Sequence, residues 1–159
     1  MYIDADNQFS DAQALSSAAA VVGQNVIDLG VAQSIGNGEP MCVMYVVSVA
    51  ADQGTGDEDY TFEVEYASDA GQTTGRQLMG RRIFESGTPA APAQDADLLV
   101  AGFKFFIPMP PTTSSEDEQF LGIRTTLAGT TPSITFDAIL MPMSAVDATV
   151  DYASGFTIT

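Results

Sequence analysis

Histidine and tryptophan are absent from this 159-residue chain, and cysteine occurs once. Without histidine the chain lacks the commonest general base and the commonest transition-metal ligand. A Ser-His-Asp triad is excluded, and no Ser-x-x-Lys motif replaces it. Without tryptophan there is no indole platform of the kind sugar-processing sites use. Cys42 has no second cysteine to pair with, and no Lys or Arg stands near it in sequence. It reads as a small buried hydrophobe. Positive charge is scarce too: 5 Lys and Arg face 21 Asp and Glu, for a net charge of −16. Such a chain repels phosphate backbones and anionic lipid, so neither nucleic acid nor membrane is expected as a partner. No apolar stretch approaches the ~18 residues of a membrane-spanning helix. Residues 1–10 carry acidic side chains and no apolar run, so no leader segment is expected. These absences leave no cofactor, metal site or enzymatic activity to expect.

What is present is enough for a core. The hydrophobic fraction is 45%, with 9 Phe and 5 Tyr, and a chain of this length buries roughly 70% of its unfolded surface. Residues 60–67 alternate cleanly, with Tyr60, Phe62, Val64 and Tyr66 on one side and Thr61, Glu63, Glu65 and Ala67 on the other. A period of two is that of a half-buried strand. Residues 41–51 are almost continuously apolar and rich in valine, as in a central strand buried on both faces. Further strands are expected over 26–29, 77–85, 98–108, 120–128 and 133–141, separated by Gly, Pro and Asp-rich turns. Short strands at roughly ten-residue spacing predict a sandwich or barrel. Residues 1–24 lack a clear period. They are expected to be an arm, extended or partly helical from a cap at Ser10 or Asp11 to a stop at Gly23. Residues 25–159 would then form one domain with a polar tail.

Few residues offer chemistry. Asp52, Asp57, Glu58 and Asp59 form an acidic loop without the ligand alternation of an EF-hand, so a solvated turn is the expectation and calcium the alternative. Glu116, Asp117 and Glu118 read the same way. Glu63 and Glu65 lie about 7 Å apart on one strand face, within reach of an inverting glycosidase pair, but glutamates are common on wet sheets. Gly36 and Gly38 are too few for a phosphate-binding loop and precede a strand rather than a helix. Arg76, Arg81 and Arg82 are the only basic concentration. They would either anchor carboxylates of a partner or pair with the chain's own acids. Met109, Pro110 and Pro111 end an apolar strand and offer an exposed contact, while Phe105 and Ile107 belong to the core.

Four blocks near the start carry a resemblance: Tyr2-Ile3-Asp4, Phe9-Ser10-Asp11-Ala12-Gln13-Ala14, Asn25-Val26-Ile27-Asp28-Leu29-Gly30 and Gly36-Asn37-Gly38-Glu39-Pro40. Their order and spacing resemble the N-terminus of the capsid cement, or decoration, proteins of tailed phages, of the Bordetella-phage type. Leu98-Leu99-Val100-Ala101-Gly102, Phe106-Ile107-Pro108-Met109-Pro110-Pro111 and Leu121-Gly122-Ile123-Arg124 continue it more thinly. The resemblance implies an all-β, jelly-roll-like sandwich of about seven or eight antiparallel strands with an N-terminal arm. It implies a structural virion protein on the outer surface of a phage head. The partners would be the major capsid protein and a second copy in a homodimer. Expected contacts are Tyr2, Ile3, Asp4 and Phe9 on the arm, with Arg81, Arg82, Met109 and Pro110 on the body. On that reading, deleting residues 1–9 removes capsid binding and leaves the fold intact. A receptor- or carbohydrate-binding jelly roll from a phage tail or fibre is the alternative.

Overall fold

The computed structural model describes residues 5–32, 35, 38–86, 95–110 and 118–148. They form nine strands: β1 (Gln8–Leu15), β2 (Ala20–Val22), β3 (Ile27–Asp28), β4 (Met41–Val49), β5 (Asp59–Ala67), β6 (Gln77–Glu85), β7 (Lys104–Met109), β8 (Phe120–Ala128) and β9 (Ile134–Pro142). Among the described residues the only helical pieces are short 3₁₀ turns.

One sheet has the order β1-β9-β4-β7, and the other β2-β8-β5-β6 with β3 also on β8. Every pairing is antiparallel. The pairs β1·β9, β2·β8, β4·β7 and β5·β6 are nested, as in one long hairpin folded between β5 and β6. Rolling that hairpin brings β9 beside β4 and β8 beside β5. This is the strand order of a jelly roll, a four-stranded and a five-stranded sheet face to face.

The alternation seen in sequence sets the core. Tyr60, Phe62, Val64 and Tyr66 of β5 are fully buried between the sheets. From the facing sheet, Tyr45 stacks on Phe105 with ring centroids 4.9 Å apart, and both meet the edge of Phe62. Pairs of this geometry contribute about 0.5–1.5 kcal/mol beyond area burial. The buried hydroxyl of Tyr45 donates to the Glu63 carbonyl at 3.3 Å, which satisfies it. β4 lies inside its sheet and is buried on both faces, as its apolar run predicts. Its outward Cys42 and Met44 pack with Ile139 and Met141 beneath Ala145 and Val146 of the 3₁₀ turn Met143–Ala148. Burial pushes the Cys42 thiol up to about 11.

The N-terminal segment departs from expectation. From Gln8 onward it is not an arm: β1 and β2 are edge strands of opposite sheets, and β1 lies against β9. Phe9, expected as a partner contact, is fully buried in the main core. The cause of the weak period is visible in the geometry. Ala12 has φ 45°, and the register of β1 slips twice, between Gln8 and Ser10 and between Ser10 and Gln13. Such bulges scramble alternation. They turn Ser10 and Gln13 inward, where the Ser10 hydroxyl donates to Gln13 and the Gln13 amide donates to Val22 O at 2.9 Å. β7 also begins later than expected, because the chain turns just before it: Phe103 N donates to Val100 O at 3.0 Å, and Gly102 takes φ 88°.

Candidate functional site

The four arginines sort into two groups with different fates. Glu65 of β5 lies on the outer face of its sheet yet is almost fully buried. It accepts from Arg76 Nε and Nη2 at 2.9 and 2.6 Å, and from Arg124 Nε at 3.0 Å. Arg124 also donates to the Gln72 carbonyl at 2.7 Å. A buried carboxylate requires such pairing, since an unpaired one would cost several kcal/mol, on the order of its desolvation. The hydrogen bond to Glu65 in turn raises the Arg76 pKa.

What covers Glu65 is the loop between β5 and β6. Asp69 organises that loop by accepting from the hydroxyl and backbone N–H of Thr74, both at 2.7 Å, and from those of Thr73, both at 2.9 Å. These bonds, led by the Thr74 hydroxyl, hold the Asp69 pKa well below the ordinary carboxylate range. Gln72, at φ 53°, lies buried over Gly122. A Cβ on Gly122 would come within 1.6 Å of the Gln72 amide group. The amide, oriented to donate to Ile123 O and accept from Gly122 N, occupies the space a side chain would take. Glu63 and Glu65 are therefore not a catalytic pair, because both oxygens of Glu65 are held by guanidinium groups.

The acidic loop is likewise committed to its own turn. Asp52 accepts from Gly54 N at 3.0 Å. Asp57 accepts from the Thr55 hydroxyl at 2.6 Å, and from the N–H and hydroxyl of Thr130 at 3.1 and 2.9 Å. Glu58 is fully buried and accepts from Thr55 N, the Thr55 hydroxyl, Asp57 N and the Ser86 hydroxyl. Desolvation works to raise its pKa, but these donors prevail and hold it down to about 2. No group of three or more metal-ligating side chains occurs among the described residues. Residues 111–117, with Glu116 and Asp117, lie outside the described part, as do Gly36 and Asn37.

Arg81 and Arg82 differ from Arg76 and Arg124. Both are exposed, and neither forms an ion pair with a described residue. They sit on β6, the edge strand of its sheet, which runs beside β7, the edge strand of the other. Gly80 allows that approach: a Cβ there would lie 2.6 Å from Ile107 Cγ2 and 3.0 Å from Pro108 O. Between the two edges runs a groove of about 530 Å³ lined by Met79, Arg81, Arg82, Phe106, Met109 and Pro110, among others. The Arg82 guanidinium lies 4.8 Å from the centroid of the Phe84 ring, which is packed edge-on against Phe62 and Phe105. That cation–π contact fixes the charge at the mouth of the groove.

The structure thus gathers four of the residues expected as contacts, Arg81, Arg82, Met109 and Pro110, on one edge. Pro110 is exposed there, whereas the Met109 side chain is buried and supplies the groove's floor. Phe9 is not among them, and Tyr2, Ile3 and Asp4 lie outside the described residues. The network of Glu65, Arg124 and Gln72 gave no sequence signal, since nothing in the alternation of β5 marks one glutamate as covered.

No family model matches the chain, and no curated protein matches it. Similar solved structures include infectious bursal disease virus of the Gx strain, at 14% identity and TM-score 0.40, and of the Gt strain, at 11% and 0.38. In both, the likeness covers 84% of this chain and 30% of the other. A mutant VP2 protein of that virus in derived T=1 particles is similar at 11% identity and TM-score 0.36, over 86% of this chain and 31% of that one. This chain therefore spans less than a third of the length of each. The strand order, not this distant likeness, defines the fold.

Proposed function

We propose that this is a structural virion protein, a cement or decoration protein that binds the outer surface of a phage head and links neighbouring major capsid subunits. The observation that carries the reading is the β6–β7 edge. It holds two exposed arginines that form no ion pair with a described residue, beside a groove lined partly by apolar side chains, on a chain of net charge −16. The ordered sequence blocks that resemble phage cement proteins support it, and jelly rolls are widely used where repeated flat contacts are needed. In this role each copy pairs with a second copy and touches two or three capsid subunits. Icosahedral repetition then multiplies weak contacts into a stable shell through effective concentration. The net charge of −16 keeps the decorated particle soluble and disfavours contact with packaged DNA.

The test is cosedimentation of the purified protein with heads of its own phage assembled without it. Saturable binding near one copy per major capsid subunit, with raised resistance of the heads to heat, is the expected result. Absence of saturable binding overturns the proposal and moves the weight to a receptor- or glycan-binding module, for which a glycan array is the next experiment.

A further inference from the structure

Exposed aliphatic side chains are ordinary when scattered singly, but three stand together where β4 ends. Val49, the last residue of β4, is 59% exposed, and Leu98 and Val100 are 44% and 54% exposed. They belong to two segments tied side by side. Val47 N donates to Phe103 O at 2.9 Å, Gly102 N to Val47 O at 2.7 Å, and Ala51 N to Leu99 O at 2.9 Å. Val49 lies between these bonds, so its backbone runs beside that of Val100. The strip is anchored from beneath: Leu99 is fully buried in the main core, and Gln53 Nε2 donates to Ala96 O at 2.6 Å. Its exposed aliphatic groups are thus presented to water on a fixed backbone, a contact that a covering partner would remove.

The charge beside the strip is of one sign. Asp52 follows Ala51 directly, and its carboxylate accepts from Gly54 N at 3.0 Å. Its own N–H donates to Ser133 O at 2.8 Å in the turn between β8 and β9. Asp57 is bonded to the same turn through the N–H and hydroxyl of Thr130. These donors are neutral, so they fix the carboxylates without cancelling their charge. Glu58 stays ionised behind them down to about pH 2. Lys104, opposite Val46, is the one cation in the strands of the sheet β1-β9-β4-β7.

We infer that this strip docks a basic, amphipathic segment of another polypeptide, its aliphatic side chains on Val49, Leu98 and Val100 and its lysine or arginine heads toward Asp52 and Asp57. The inference goes beyond the reading of the β6–β7 edge and shares no residue with that groove. Burial of aliphatic surface supplies the affinity. The net charge of −16 draws a basic segment in, and the local carboxylates reject an acidic one. A lysine or arginine stem also covers apolar surface while its head reaches a carboxylate, so one residue type meets both demands of the strip. The molecule then carries two surfaces of opposite character, arginine-bearing at β6–β7 and acidic here.

The test follows backbone amide chemical shifts of the full chain, at physiological ionic strength, as a synthetic peptide of alternating leucine and lysine is added. A serine–lysine peptide of equal charge and a leucine–glutamate peptide serve as controls. The expected result is saturable shifts concentrated within residues 47–52 and 98–102, with at least about tenfold weaker binding of either control. A Leu98→Ser/Val100→Ser variant should bind the leucine–lysine peptide at least about fivefold more weakly. Should that variant fail to fold, Val49→Thr must weaken binding in the same direction. Asp52→Asn keeps an acceptor for Gly54 N and removes the charge, so it must also weaken binding, by a factor that shrinks as salt is raised. Shifts centred elsewhere, equal binding of the serine–lysine peptide, or no binding at millimolar peptide overturns the inference. Concentration-dependent shifts at 47–52 and 98–102 without peptide also overturn it and assign the strip to a second copy.

Discussion

Replacing Phe9 by alanine should destabilise the whole sandwich. Phe9 is fully buried in the main core, on a strand that forms the edge of one sheet. Its carbonyl accepts from Asn25 N at 2.9 Å, and the Asn25 side chain donates to Gln8 O at 3.1 Å. The ring therefore anchors β1 while its backbone ties β1 to the segment entering β3. Truncating a buried phenylalanine to alanine costs about 3–5 kcal/mol, the sum of lost transfer energy and an unfilled cavity. For a domain of this size each kcal/mol lowers the melting temperature by about 2–4 °C, so the fall should be roughly 6–20 °C. Urea unfolding followed by circular dichroism gives the same quantity as a free energy. Asp11→Asn on the exposed side of β1 serves as the control and should stay within about 0.5 kcal/mol of the parent. A cost for Phe9→Ala below about 1 kcal/mol would refute the docking of β1, because no fully buried ring is that cheap to remove. The same logic changes what a truncation of residues 1–9 reports. It removes a core side chain, so loss of partner binding by the truncated chain would reflect a weakened fold rather than a missing contact.

Two further perturbations probe the loops that shape the outer face. Gly122→Ala places a methyl group in the space held by the Gln72 amide and should cost about 1–3 kcal/mol. Adding Gln72→Ala should recover part of that loss, and strict additivity in a double-mutant cycle would contradict the contact. Glu58 has a folded pKa of about 2 against an ordinary value of 4.5. A depressed carboxyl contributes stability above its unfolded pKa and loses it as pH falls through the folded one. Urea midpoints should therefore drop between about pH 4.5 and pH 2, and Glu58→Gln should lower the neutral midpoint and flatten that part of the profile. An unchanged acid limb in the variant would assign the sensitivity to other groups, such as Asp57 and Asp69, whose pKa values are also lowered.

The parts of this fold that were legible in sequence are those where one physical demand dominates. β5 alternates because one face meets core and the other meets solvent or a loop, and nothing interrupts it over 59–67. β4 reads as a continuous apolar run because both of its faces are covered, one by the opposite sheet and the other by the turn at 143–148. β1 was not legible because two register slips and the left-handed Ala12 break its period, and because its inward positions include Ser10 and Gln13. Those polar groups are buried only because they satisfy each other and Val22 O, a condition no local window contains. The arginines divide along the same line. Sequence placed Arg76, Arg81 and Arg82 in one cluster and left open whether they serve a partner or the chain itself. The structure divides the cluster, since the loop that carries Arg76 folds back over Glu65 while β6 carries Arg81 and Arg82 out to an edge. Proximity in sequence thus says little about whether a charge is spent. What decides is whether a carboxylate lies on the same covered face. At Glu65 two guanidinium groups converge from β8 and the 68–76 loop, and with both of its oxygens engaged there, it offers no free acceptor to Arg81.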